Sequence, residues 1–170
     1  MTAPLVLRPD RFAAGGDAIA RDDGGRVVFV RGALPGETVA VELHTEKRDW
    51  ARGVAVDIVD PSPTRVVPPC PSRRAGCGGC GWQHLTVEAQ REARVAIVSD
   101  ALRRTGGLAD PMVIQGGGVS PEGYRTTVRV VPTVDGRAGY RVEASHDVVA
   151  APSCLIAHPL LRDLLPRLEL

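Results

Sequence analysis

Residues 27–59, VVFVRGALPGETVAVELHTEKRDWARGVAVDIV, decide how the first third of this chain folds. Three runs inside it, VVFV (27–30), TVAVEL (38–43) and GVAVDIV (53–59), are Val-rich and of strand length, and Pro35-Gly36 supplies a turn between the first two. Working back towards the N-terminus, LVL (5–7) and AIA (18–20) add two more runs, bounded by Gly15-Gly16 and Asp23-Gly24-Gly25. Five short strands within residues 1–60 predict a small closed β-barrel, an architecture that removes exposed sheet edges. Asp60-Pro61-Ser62-Pro63 ends it. With Pro68 and Pro69, residues 61–69 read as a stiff linker.

The whole chain has 170 residues, 44% hydrophobic and 24% charged, with a formal net charge of +1. That is enough apolar material for one domain or two small ones, and it excludes a disordered or collagen-like chain. No run of about 18 apolar residues could span a membrane. The opening MTAPLVLRPDRF meets Arg8, Asp10 and Arg11 too early for a secretory signal, so a cytoplasmic protein with no membrane partner is expected. Of the 21 basic residues only Lys47 is not Arg. Arginine reads phosphate bidentately, but a general compositional bias accounts for the count equally well. The basic excess falls in residues 61–110 (net +3), which also hold most of the cysteines.

Those cysteines are Cys70, Cys77, Cys80 and Cys154. Six residues separate the first two and two separate the next pair, while 73 lie between Cys80 and Cys154. A two-residue gap lets both thiolates face one centre, and Gly76, Gly78, Gly79 and Gly81 let the backbone fold tightly around it. In a reducing compartment such clustering suggests metal or redox chemistry rather than disulfides. A thiolate-only set of four suits tetrahedral zinc or an iron–sulfur cluster, and spacing alone does not choose between them. His84 is read as structural or hydrogen-bonding.

A helix follows. Thr86 is its N-cap, Glu88 lies in the first turn, and Gly106-Gly107 stop it after Arg103 and Arg104. Val95, Val98 and Leu102 form its apolar stripe. Beyond Pro111 the chain returns to β: Tyr124–Thr133 alternates loosely, Asp135-Gly136 makes a hairpin turn, and Ala138–Glu143 runs back, with Val148 and Val149 as a possible third strand. In the final HPLLRDLLPRLEL, Pro159 starts a helix whose face carries Leu160, Leu161, Leu164, Leu165 and Leu168. These leucines either dock on the hairpin or face a further domain.

The run CPSRRAGCGGCGWQHLTVEAQREARVAIVSDALRRTGGL (70–108) resembles the iron–sulfur region of bacterial RNA (uracil-C5)-methyltransferases, which make 5-methyluridine in 23S rRNA or tRNA. AIAR (18–21), VVFV (27–30), GALPGE (32–37) and PSPTR (61–65) are similar to the TRAM domain that opens those proteins, and GYRTTVRV (123–130) and SCLIAHPLL (153–161) to their central domain. The resemblance covers essentially the whole chain. It implies an α+β protein: an OB-like five-stranded TRAM barrel (1–60), the linker 61–69, and a small α+β iron–sulfur domain (70–158) with one long helix and an antiparallel hairpin. Residues 159–170 would begin the connection to a catalytic domain.

The resemblance also implies a [4Fe-4S] cluster held by Cys70, Cys77, Cys80 and Cys154, in a structural role, although the Cys70–Cys77 gap is one residue longer than the common family spacing. It implies a monomer that contacts rRNA or tRNA. Arg26, Phe29, Arg31, Lys47, Arg48, Trp50 and Arg52 interleave positive charge with aromatic faces and are the candidate contacts. The family's methyl donor is S-adenosylmethionine, used by a C-terminal Rossmann-like domain with its own cysteine nucleophile. The 170 residues contain no strand–GxG–helix pattern, Gly116-Gly117-Gly118 reads as a linker, and all four cysteines are assigned to the cluster. They are expected not to methylate RNA by themselves, with the missing domain as intramolecular partner. The alternative is a stand-alone RNA-binding iron–sulfur or zinc module without catalytic activity.

Overall fold

A computed structural model describes residues 4–170. The Val-rich runs form β1 (Leu5–Leu7), β3 (Ala18–Arg21), β4 (Val27–Arg31), β5 (Thr38–Glu46) and β6 (Trp50–Asp60), and a sixth strand, β2 (Arg11–Phe12), joins them. The sheet order is β1-β5-β6-β4-β3-β2. The expected five-stranded closed barrel is therefore corrected to a six-stranded, curled half-barrel: β1 and β2 are its edges, and no ladder joins them among the described residues. Two residues are too few to show an alternating pattern; β2 is a strand because β3 pairs with it, Arg11 opposite Ile19 and Phe12 opposite Ala18.

Period-2 alternation fixes which side chains enter the core. β4 and β6 run parallel and in register, so Val28 lies opposite Ala51 and Val30 opposite Gly53, all buried. Leu7, Ala18, Ala20, Val39 and Val41 complete the same core. β5 crosses β6 closely enough that Gly53 has no room for a side chain: a Cβ there would stand 2.6 Å from the Glu42 carbonyl oxygen and 2.6 Å from Val41 Cγ1. Gly53→Ala is expected to destabilise this sheet by about 2 kcal/mol, as overpacking against backbone does, and urea unfolding measures it.

Helix α2 (Val87–Arg104) begins and ends where its local signals predict. The Thr86 side chain accepts a hydrogen bond from Ala89 N at 3.3 Å, and Gly107 takes φ +67° just past the end. Its predicted stripe is only half covered: Val95 and Leu102 are partly buried, Val98 is exposed, and Ala93 alone is buried.

By compactness the chain groups into two units, residues 1–66 with 84–115, and residues 67–83 with 116–170. Helix α2 thus belongs with the half-barrel. The second unit contains the short α1 (Pro71–Arg74), a three-stranded antiparallel sheet of β7 (Val131–Pro132), β8 (Ala138–Arg141) and β9 (Val148–Ala150), and α3 (Pro159–Leu164) with a 3-10 turn at Leu165–Arg167. The expected hairpin is extended by β9, whereas most of 124–130 forms no strand; Arg125 makes only an isolated parallel bridge to Ala157. The five leucines do not share one helical face, because α3 gives way to the 3-10 turn after Leu164. Leu165 is buried while Leu160 and Leu164 are exposed. The tail docks on the β7–β8 turn, where Leu170 N donates to Gly136 O at 2.8 Å and Arg137 pairs with Glu169.

Candidate functional site

The cysteine loop is built by a one-turn helix and a reversal. Cys70 caps α1, Pro71 occupies its first position, and the Cys70 amide donates to Gln83 Oε1 at 3.3 Å. Gly76, at φ +101°, turns the chain back so that Cys77 N donates to Ser72 O at 2.9 Å. The loop is then stitched to the segment following β8. Cys77 bridges Val142, Gly78 N donates to Arg141 O at 3.0 Å, and Glu143 N donates to Gly76 O at 3.0 Å. This close approach accounts for a glycine at 78, whose Cβ would meet Glu143 Cα at 3.0 Å. Arg73 clamps the loop from below, ion-paired with Glu143 at 2.8 Å and donating to Cys77 O at 3.1 Å.

Cys154 arrives from far along the chain, in a turn closed by Ala157 N donating to Cys154 O at 3.1 Å. That turn is anchored where Gly123 N donates to Leu155 O and Arg125 N to Ile156 O. All four cysteines are free thiols and line one cavity of about 630 Å³ in the second unit. Burial pushes the Cys77 thiol up, and neighbouring Cys70 and Cys154 reinforce it; burial likewise raises Cys80, reinforced by Cys154 and Cys77. Cys77 thus feels Cys70 and Cys154, and Cys80 feels Cys154 and Cys77. Among the described residues no three of His, Cys, Asp or Glu converge tightly enough to hold a single metal ion. Four sulfurs line the cavity, together with the Glu143 carboxylate that holds Arg73.

Several cavity residues were not legible in the sequence. Tyr140 of β8 lines it; burial raises its phenol, and Cys154 beside it adds to this. Its hydroxyl is buried without a hydrogen-bond partner among the described residues. Arg125 and Arg129 also line the cavity. No local signal marks these residues, because the fold brings them in from 45 or more positions beyond Cys80. His84 is buried in the first unit, where its carbonyl accepts from Val66 N at 2.9 Å. It does not line the cavity.

The candidate nucleic-acid face lies on the outer side of β4 and β6. Register places Phe29 opposite Arg52 and Val27 opposite Trp50. The Arg52 guanidinium lies 5.6 Å from the Phe29 ring centre and 5.8 Å from that of Trp50, and the two rings meet edge-on at 6.4 Å. Phe29 is half-buried, and Trp50 and Arg52 are exposed. Lys47 and Arg48 occupy the exposed β5–β6 turn, and Arg31 ends β4. Arg26 is differently placed: it is ion-paired with Asp22 at 2.9 Å and with Glu46 at 3.0 Å, so its charge is already compensated. Its hydrogen bond holds the Asp22 carboxyl below the usual range.

Residues 5–56 match the TRAM domain. Over 160 residues the chain is 42% identical to an uncharacterized RNA methyltransferase of Corynebacterium efficiens, covering 94% of this chain and 38% of that protein. It is 36% identical over 162 residues to the 23S rRNA (uracil(1939)-C(5))-methyltransferase RlmD of Halomonas elongata, covering 91% of this chain and 32% of that one. Among solved structures, the Pyrococcus abyssi tRNA (uracil-54, C5)-methyltransferase in complex with S-adenosyl-L-homocysteine matches with a TM-score of 0.61 and 25% identity, over 95% of this chain and 35% of that chain. The chain thus spans about a third of the length of the relatives it matches. No helix among the described residues is long and apolar enough to cross a membrane. The chain carries a TRAM domain and corresponds to the N-terminal part of the RNA (uracil-C5)-methyltransferase family.

Proposed function

We propose that these residues are the RNA-recognition and [4Fe-4S]-binding part of a cytoplasmic, S-adenosylmethionine-dependent RNA uracil-C5 methyltransferase acting on rRNA or tRNA. The observation that carries this reading is the convergence of Cys70, Cys77, Cys80 and Cys154 on one cavity, in a chain similar to such enzymes over nearly its whole length. Four thiols spread round a cavity suit a multi-iron cluster better than one ion. The cluster, when bound, supplies a four-point thiolate crosslink, and that needs no change of redox state. The chain's own residues do the rest: the α1 turn and Gly76 present three thiols, and the 123–125 anchor presents the fourth.

In this reading residues 1–60 contact RNA, 61–69 link, 70–158 hold the cluster, and 159–170 lead towards the S-adenosylmethionine-binding region. Phe29, Trp50 and Arg52 offer stacking and cation–π faces, and Arg31, Lys47 and Arg48 offer phosphate contacts, while Arg26 orients the β4 end through its two ion pairs. Methyl transfer belongs to the remaining length of the relatives, so these 170 residues alone transfer no methyl group.

Fluorescence anisotropy with single-stranded rRNA or tRNA fragments at low salt tests the RNA half of the proposal. Weak binding is expected, losing affinity steeply as salt rises. Trp50→Ala is expected to weaken it by about fivefold or more, the loss of one stacked base. Absence of any affinity at low salt would reduce the half-barrel to a scaffold.

A further inference from the structure

The thiol cavity contains one polar group that the family reading leaves without a task. Tyr140 pairs with Val149 across the β8–β9 ladder, and its side chain lines the cavity. Its hydroxyl is fully buried and makes no hydrogen bond among the described residues. Burying such a group unpaired is unfavourable, a penalty that phenylalanine would avoid while filling the same space. Of the other side-chain acceptors, Glu143 holds Arg73, Gln83 accepts from the Cys70 amide, and Ser145 donates to and is braced by Asp147, while the Ser72 hydroxyl also lines the cavity. Arg125 and Arg129 can only donate. Cys154 lines the same cavity, and after burial it is the side chain that acts most strongly on the phenol, pushing it up.

We infer that the Tyr140 hydroxyl donates a hydrogen bond to the Cys154 sulfur in the metal-loaded protein and thereby raises the reduction potential of the bound cluster; this rests on the cluster-binding reading above. The sulfur of a protonated thiol is a weak acceptor, so the bond is poor in the metal-free chain. A ligating thiolate carries negative charge and accepts well, with charge-assisted strength. Hydrogen bonds to cluster sulfurs are among the features that set potential, and they favour the reduced form because it holds more negative charge. Tyr140 is thus a tuning residue, acting through a ligand.

The test compares wild type and Tyr140→Phe after anaerobic reconstitution with iron and sulfide, by spectroelectrochemical titration. Losing the bond is expected to move the midpoint to more negative potential. At the wild-type midpoint the ratio of reduced to oxidised cluster should fall about tenfold, equivalent to about 59 mV for one electron. The metal-free variant should melt no lower than wild type, since only an unpaired hydroxyl is removed. A Tyr140→Phe cluster with the wild-type potential overturns the inference and leaves the cluster reading standing. A wild-type chain that takes up no cluster overturns both.

Discussion

Glu37→Ala is expected to cost the first unit about 4 kcal/mol, at the centre of the range for breaking one side of a buried ion pair. Glu37 is fully buried, and its carboxylate is a hub. It accepts from Leu34 N at 2.8 Å, from Ser62 N at 3.1 Å, and from both Nε and an Nη of Arg65. Arg65 in turn donates to Gly32 O at 2.8 Å. One pair therefore latches the β4–β5 loop to the segment that leaves β6. Truncating Glu37 leaves a guanidinium and two amides without their acceptor. Thermal melting should show the loss at roughly 4–8 °C per kcal/mol for a unit of this size.

The same carboxylate makes stability depend on pH. Burial by itself would raise Glu37, but the hydrogen bonds from Arg65, Ser62 and Leu34 outweigh it and hold the carboxyl below its ordinary 4.5. A group whose folded pKa is depressed contributes fully above its unfolded value and loses that contribution as pH falls through the folded one. Stability should thus be level above about pH 5.5 in this respect and decline below about pH 4.5. Glu37→Gln should abolish that part of the decline while being less stable at neutral pH. A wild-type-like acid profile in Glu37→Gln would place the acid-sensitive group elsewhere.

The second large effect concerns Cys154. In the metal-free chain Cys154→Ser should change stability little, because the thiol is only partly buried and makes no disulfide. In the loaded protein the same substitution removes the one ligand that closes the long loop from Cys80. Chain entropy puts a crosslink across 73 intervening residues at about 4 kcal/mol. Melting curves with and without metal separate the two cases: the difference between them should be large in wild type and small in Cys154→Ser. Equal differences in the two proteins would show that Cys154 is not a ligand.

How much of this was legible in the sequence depends on whether the cause was local. Helix α2 could be read to the residue because Thr86 and Gly106-Gly107 act on their own backbone. Its packing could not, since Val98 faces outward on a surface set by other elements. The half-barrel runs were readable from alternation, but β2 exists only through its partner β3, and edge-to-edge closure is a property of the whole sheet. The stretches GALPGE (32–37) and PSPTR (61–65) were recognisable as parts of one domain. That they meet through Glu37 and Arg65, 28 positions apart, is a tertiary fact. In the cavity the CGGC loop announced itself, whereas Tyr140 and Arg73 owe their places to the stitching between Gly76–Gly78 and Arg141–Glu143. No spacing rule encodes that.

The central claim is that four thiols, three from one loop and one from far away, form a single ligand set for an iron–sulfur cluster. Anaerobic reconstitution of the 170-residue chain with iron and sulfide, followed by metal and acid-labile sulfide analysis and visible absorption, tests it most directly. Iron and sulfide are expected in the proportion of a [4Fe-4S] cluster, with its broad visible band, and both should be lost in Cys77→Ser and in Cys154→Ser. Stoichiometric zinc with no such band, or a cluster undiminished in Cys154→Ser, would contradict it.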